Sequence, residues 1–227
     1  MCAEAAGGPT STKSFSSWRG WASITSNRKS PIPSHLFKRR VLLSNFHMIL
    51  TAQRIDTEVT SGRIVITPYD ERLLNPNSYN FRLAERLVVY REGILDPRVA
   101  NATEEIVIPA EGLVIAPGQL YLGGTVEVMG SNHFVPLIYG RSSIGRMGLF
   151  VQITAPLGDI GYVGRWTLQL TPVRPLRIYS GMKIGQVFFV VPHGEITPYK
   201  GKYQGSMQPC ASRSYQDFTE HDDPHAA

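Results

Sequence analysis

Between residues 140 and 172 the chain reads GRSSIGRMGLFVQITAPLGDIGYVGRWTLQLTP. Five of its side chains suit phosphate and water chemistry: Arg141, Ser142, Ser143, Arg146 and Asp159. The first part, GRSSIGRMGL, sets two guanidinium forks and two hydroxyls close together between glycines. Such a loop can present backbone N–H groups, hydroxyls and bidentate arginines to a triphosphate. The same composition also suits a solvated turn. Next, PLGDIGYVGRW reads as a glycine-rich hairpin holding one carboxylate, Asp159, and an aromatic ring, Tyr162. A carboxylate there either forms the turn or contacts a sugar or base. The run RWTLQLTP then supplies an amide, Gln169, and no carboxylate. A neutral amide orients water by hydrogen bonding but cannot take its proton.

Metal chemistry has little support. The six histidines, His35, His47, His133, His193, His221 and His225, form no His-Glu-x-x-His and accompany no Cys-x-x-Cys. The zinc deaminase signature is likewise missing, so a protein-bound zinc is not expected. The two cysteines, Cys2 and Cys210, stand at opposite ends of the chain. They make neither a disulfide framework nor a metal cluster, read as buried or incidental thiols, and suit a reducing cytoplasm.

These residues must be positioned by a body that begins at Met48. In TAQRIDTEVTSG, Thr51 is placed to cap a short helix, Ile55 and Val59 fall on one face, and Gly62 stops it. Short β-rich runs punctuated by Gly and Pro follow: RIVITP, ERLVVYRE, EEIVIP, LVIAPGQLYLGGTVEVMG, FVPLIYG, RWTLQLTP and LRIYSGMKIGQVFFVVP. They predict a mainly-β sandwich or jelly-roll body. No apolar run is long enough to span a bilayer, so no membrane partner is expected.

The net charge of +5 sits in the first 47 residues, which hold seven Lys/Arg and one acid; the remainder has 16 basic and 17 acidic residues. A polyanion-binding face needs a basic stripe that this near-neutral body lacks, so nucleic acid is not an expected partner. Residues 1–47, rich in Ser, Thr, Gly and Pro, read as a disordered basic extension. Its composition is that of a transit peptide, but a loose tail or upstream read-through is the reading preferred here. Residues 219–227 read as a C-terminal tail.

From MILTAQRIDTEVTSGRIVITPYDERLLNPNSYNFRL, through GRSSIGRMGLFVQITA and the Asp159 hairpin, to YSGMKIGQVFF and PYKGKYQGSMQPCASRSYQDF, the chain resembles the dCTP deaminase family. That family is part of the trimeric dUTP diphosphatase (dUTPase) superfamily, and the resemblance runs from Met48 to Phe218 in order. It implies a distorted, jelly-roll-like β-barrel in a cytoplasmic homotrimer with sites between subunits, acting on a pyrimidine nucleotide. It further implies that Arg141, Ser142, Ser143 and Arg146 hold the triphosphate and base, and that Ser142 and Arg146 serve catalysis. The backbone at Ala155 would lie near the pyrimidine, and Asp159 would meet the sugar 3′-hydroxyl. Tyr162 would pack on deoxyribose. Thr167 and Gln169 would face the nucleotide, while Tyr199 and Lys202 would contact phosphates from a C-terminal segment folded over it. Magnesium would arrive on the triphosphate.

Against that pattern, Gln169 stands where the deaminases carry a glutamate that activates water, Asn80 replaces an aspartate, and Ser206 replaces a glutamine. The family default is conversion of dCTP to dUTP and ammonia. The dUTPase branch offers a second chemistry, in which Asp159 directs water at the α-phosphate and pyrophosphate leaves. Gly161 stands where that branch has a second aspartate, and its glycine-rich tail is missing. A third reading is a catalytically silent nucleotide binder.

Overall fold

The computed structural model describes residues 48–91, 93–152 and 154–218, and the expectations for segments 1–47 and 219–227 lie outside them. Helix α1 spans Ala52–Thr60 and buries Ile55 completely. Thr51 occupies the cap position with extended backbone, but its hydroxyl makes no capping bond, contrary to expectation. The end forms as expected: Gly62 takes φ +75°, a left-handed conformation that favours glycine, and its N–H donates to the Val59 carbonyl.

The strands are β1 (Val65–Thr67), β2 (Leu74–Asn75), β3 (Ser78–Tyr90), β4 (Thr103–Val107), β5 (Leu113–Ile115), β6 (Tyr121–Gly130), β7 (Val135–Gly140), β8 (Leu149–Val151), β9 (Val163–Pro172), β10 (Leu176–Ile178) and β11 (Lys183–Val190). Six of them run in the order β7-β11-β3-β6-β9-β8, with β1, β2 and β4 paired alongside; β5 and β10 form a separate pair. Every pairing is antiparallel.

The two ends of the six-strand path meet. The segment after β8 reaches back to β7, with the Ile138 N–H donating to Pro156 O and the Gly158 N–H to Pro136 O, both at 2.8 Å. A bridge joins Leu137 to Leu157. The sheet therefore curls into the distorted barrel expected from the sequence, and edge-strand hydrogen-bonding groups are covered. Register shifts in the β6–β9 and β3–β6 pairs supply local bends.

Strand β3 sends Tyr79, Phe81, Leu83 and Leu87 inward, where they meet Met129, Leu168, Leu170, Ile184, Val187 and Phe189. On β9, Leu168, Leu170 and Pro172 are buried while Thr167, Gln169 and Thr171 are half-exposed. Successive side chains of a strand point to opposite faces. The residues that hold β9 in the core thus set Thr167 and Gln169 together on its other face.

Candidate active site

A cleft of about 490 Å³ opens on that face of β9, within the size range of small-molecule sites. Gln169, Thr167 and Trp166 line it from β9, Leu122 from β6, and Gln152, Ala155 and Asp159 from the connection between β8 and β9. Leu122 is the register partner of Gln169. Tyr199, Tyr203, Ser206 and Cys210 close it from the C-terminal segment.

The connection is held tightly. Gln152 adopts φ +55°, the one described non-glycine residue with positive φ, and is buried. Its N–H donates to Gln169 O at 3.3 Å and its side-chain amide to Thr167 O. Such a conformation is disfavoured for a residue with a Cβ, and these two bonds offset the cost while fixing the backbone beneath Gln169. The Thr154 hydroxyl donates to Gln169 Oε1 at 3.2 Å.

The aromatic wall depends on a missing side chain. A Cβ at Gly158 would lie 2.1 Å from Trp166 Cη2, so only glycine lets the indole lie against this turn. Trp166 donates its indole N–H to Met129 O at 3.0 Å. Tyr162 meets the indole edge-on with centroids 4.7 Å apart, and Tyr199 at 6.1 Å. The Tyr162 hydroxyl donates to Arg165 O at 2.7 Å, and burial pushes this phenol up to about 12. It is therefore a neutral donor at working pH, not a base.

Asp159 is exposed, and no side-chain partner for its carboxylate is found among the described residues. Its backbone carbonyl accepts from the Tyr162 N–H at 3.2 Å, closing the turn that aims both residues at the cleft.

The C-terminal segment lies over the site through defined bonds. Tyr199 N–H donates to Ile160 O, Arg165 N–H to Ser206 O, and the Gln204 side-chain amide to Gly161 O. The Cys210 N–H donates to Thr167 Oγ1 at 3.2 Å. Cys210, read from the sequence as buried or incidental, is half-exposed in the cleft wall.

The expected site residues thus divide. Ala155, Asp159, Tyr162, Thr167, Gln169 and Tyr199 line one cleft. Arg141, Ser142, Ser143 and Arg146 do not line it: Arg141 caps the one-turn helix α2 (Ser142–Gly145), and Arg146 follows it. Lys202 is also absent from the lining and forms an ion pair with Asp217. Gln152, Trp166, Tyr203 and Cys210 were not anticipated. The only sequence signal for the indole was its place in the run that yielded Gln169. Among the described residues no three of His, Cys, Asp and Glu gather to hold a metal, and no helix is long and apolar enough to cross a membrane.

Residues 49–190 match the protein family described as dCTP deaminase-like. The chain belongs to that family. It is 51% identical over 172 residues to a "dCTP deaminase, dUMP-forming" of Leptospira biflexa, covering 75% of this chain and 98% of that protein. A protein of the same description from Cytophaga hutchinsonii is 46% identical over 172 residues, covering 75% and 99%. Among solved structures, 2′-deoxycytidine 5′-triphosphate deaminase from Agrobacterium tumefaciens has the same fold, with a TM-score of 0.52 at 20% identity over 64% of this chain and 49% of that one.

Proposed function

We propose that this chain is an enzyme that hydrolyses a pyrimidine deoxynucleoside triphosphate bound in the β9 cleft, with dCTP as the family default. One observation carries the reading: Asp159, Tyr162, Thr167 and Gln169 share a single cleft, in a chain about half identical to dCTP deaminases. The aromatic wall of Tyr162 and Trp166 suits a deoxyribose and a planar base. Asp159 is the carboxylate available to a sugar hydroxyl or a water.

The relatives' description, dCTP deaminase, dUMP-forming, covers two bond cleavages. In one, water adds at C4 of cytosine, the C4–N bond breaks and ammonia leaves. In the other, water attacks the α-phosphorus, its bond to the bridging oxygen breaks and pyrophosphate leaves. For the first, this chain presents Gln169, which orients water but does not take its proton. For the second, Asp159 can serve as the acceptor. Gln169 therefore favours pyrophosphate release as the second reading.

In this proposal the enzyme is a homotrimer in the cytoplasm, and Arg141, Ser142, Ser143 and Arg146 reach the nucleotide from a neighbouring subunit. Their position outside their own chain's cleft supports that arrangement. Large apolar side chains at Met147 and Phe150, exposed beside α2, support it too. Lys202 would exchange its Asp217 partner for a phosphate oxygen. Magnesium carried by the triphosphate would offset phosphate charge.

The test incubates the purified chain with dCTP and dUTP plus magnesium and reads ammonia and pyrophosphate separately. Ammonia from dCTP supports the default; pyrophosphate without ammonia supports the second reading. Binding without either product leaves a silent binder and removes the enzyme assignment.

A further inference from the structure

We infer that Gln204, an exposed side chain outside the cleft lining, is a positioning residue that locks the C-terminal wall of the cleft in register with Tyr162. Its consequence for nucleotide affinity rests on the nucleotide reading; the seat itself does not.

A glutamine amide carries the same donor and acceptor pair as a backbone peptide. Gln204 uses both ends on one turn. Its Nε2 donates to Gly161 O at 2.7 Å, and its Oε1 accepts from the Val163 N–H at 3.3 Å. Those two groups flank Tyr162, so the side chain bridges the turn across that residue. The rest of the seat is largely backbone: the Tyr199 N–H donates to Ile160 O at 2.7 Å and the Arg165 N–H to Ser206 O at 2.8 Å. The approach is close because two side chains are missing. A Cβ at Gly161 would lie 2.7 Å from Tyr199 N, and one at Gly164 would lie 2.8 Å from Ser206 O.

Tyr199, Tyr203 and Ser206, on either side of Gln204 in sequence, line the cleft, and Tyr162 and Thr167 line it with them. The two walls can meet one ligand only if the segment sits in a single register. Backbone bonds are open to any residue and do not choose a register; a side chain bonded on both sides of Tyr162 does. A nucleotide that meets a loosened segment must first close it, and affinity falls in proportion to the closed fraction. Gln204 thus acts on affinity through the wall, without touching the ligand.

The test exposes the full chain and its Gln204→Ala and Gln204→Glu variants to trypsin, following cleavage after Lys200 and Lys202 by mass spectrometry. The Glu variant keeps the shape and the acceptor for Val163 but sets a carboxylate oxygen against the Gly161 carbonyl, two acceptors face to face. Both variants should be cut there about tenfold faster, the scale of the lost hydrogen bonds, since cleavage follows the open fraction. Cleavage after Arg177 and the thermal midpoint should not change. Titration calorimetry with the α,β-imido analogues of dCTP and dUTP plus magnesium should show binding weakened about tenfold in the variants. With dCTP and dUTP as substrates, KM should rise while kcat holds, because saturating nucleotide closes the wall. Unchanged cleavage after Lys200 and Lys202, or unchanged affinity for an analogue that the unmodified chain binds, overturns the inference and leaves the nucleotide reading standing. A fall in kcat at unchanged KM also overturns it. So does faster cleavage everywhere with a lower midpoint, which would make Gln204 a general structural contact. If neither analogue binds the unmodified chain, the nucleotide reading fails, and the trypsin rates alone decide the seat.

Discussion

The ring of Tyr162 stands edge-on to Trp166, with centroids 4.7 Å apart, while its hydroxyl donates to Arg165 O at 2.7 Å. One side chain thus fixes both the aromatic wall and the start of β9. Its phenol is pushed up to about 12 by burial. Ionisation is then easier in the unfolded chain, where tyrosine titrates near 10. The unfolded state releases its proton first, so this contribution is intact below about pH 10 and lost as pH rises towards 12. Tyr69 and Tyr79 are also raised, chiefly by burial, and act in the same direction. Denaturant melts across this window should show stability falling with pH. Tyr162→Phe should flatten part of that fall and cost about 1 kcal/mol at neutral pH through the lost bond. An unchanged slope in the variant would mean that the phenol is not held neutral by its surroundings.

Among the described residues Asp159 is the one carboxylate in the cleft lining, so its removal separates binding from chemistry. Asp159→Asn keeps the shape and a hydrogen-bonding group but loses the proton acceptor. Pyrophosphate release should fall by about a hundred- to ten-thousand-fold, the usual range for a lost general base. Nucleotide affinity should change far less. Single-turnover kinetics beside equilibrium titration distinguish the two, and equal losses in both would make Asp159 a sugar contact instead.

Much of the barrel was legible because its strands are marked at both ends. RWTLQLTP alternates and is bounded by Gly164 and Pro172, and it became β9 with Leu168 and Leu170 inward. Helix α2 was not anticipated: four residues including a glycine carry no periodicity, and its arginines and serines drew attention as ligands instead. Strand β8 was missed inside the same motif because three residues give no pattern to read. In the site, Asp159, Tyr162 and Gln169 were visible as chemical types. Their supports were not, since each depends on distant pairing. Cys210 meets Thr167 across 43 positions. The positive φ of Gln152 arises from the turn between strands rather than from any local signal.

Gly158 offers a sharp steric test. An added methyl would meet Trp166 Cη2 at 2.1 Å and Pro136 Cγ at 2.8 Å. Neither neighbour yields easily, because the indole is tethered to Met129 O and Pro136 O accepts from Gly158 itself. Gly158→Ala should therefore displace the ring and cost about 1–3 kcal/mol, the range for overpacking. Tryptophan fluorescence and thermal melting read the two effects. A variant with native emission and stability would show that the turn has slack.

Phe150, 51% exposed on β8, follows helix α2, and the arginines that flank that helix, Arg141 and Arg146, do not line their own chain's cleft. Tyr139 on β7, Met147 just after α2, and Val173, whose N–H donates to Gly148 O, are also exposed. A scattered exposed apolar residue is ordinary, but several around one element mark a contact surface. If that surface joins subunits, the native mass by light scattering should be that of three chains. Phe150→Glu should shift it towards the monomer, because a charge buried at an interface without a partner is strongly unfavourable. Turnover should fall with it, since Arg141 and Arg146 would no longer reach a neighbouring cleft. Mixing Phe150→Glu with an Arg146→Ala chain should not restore activity if assembly itself is lost. A monomeric unmodified protein with full turnover would place the complete site within one chain.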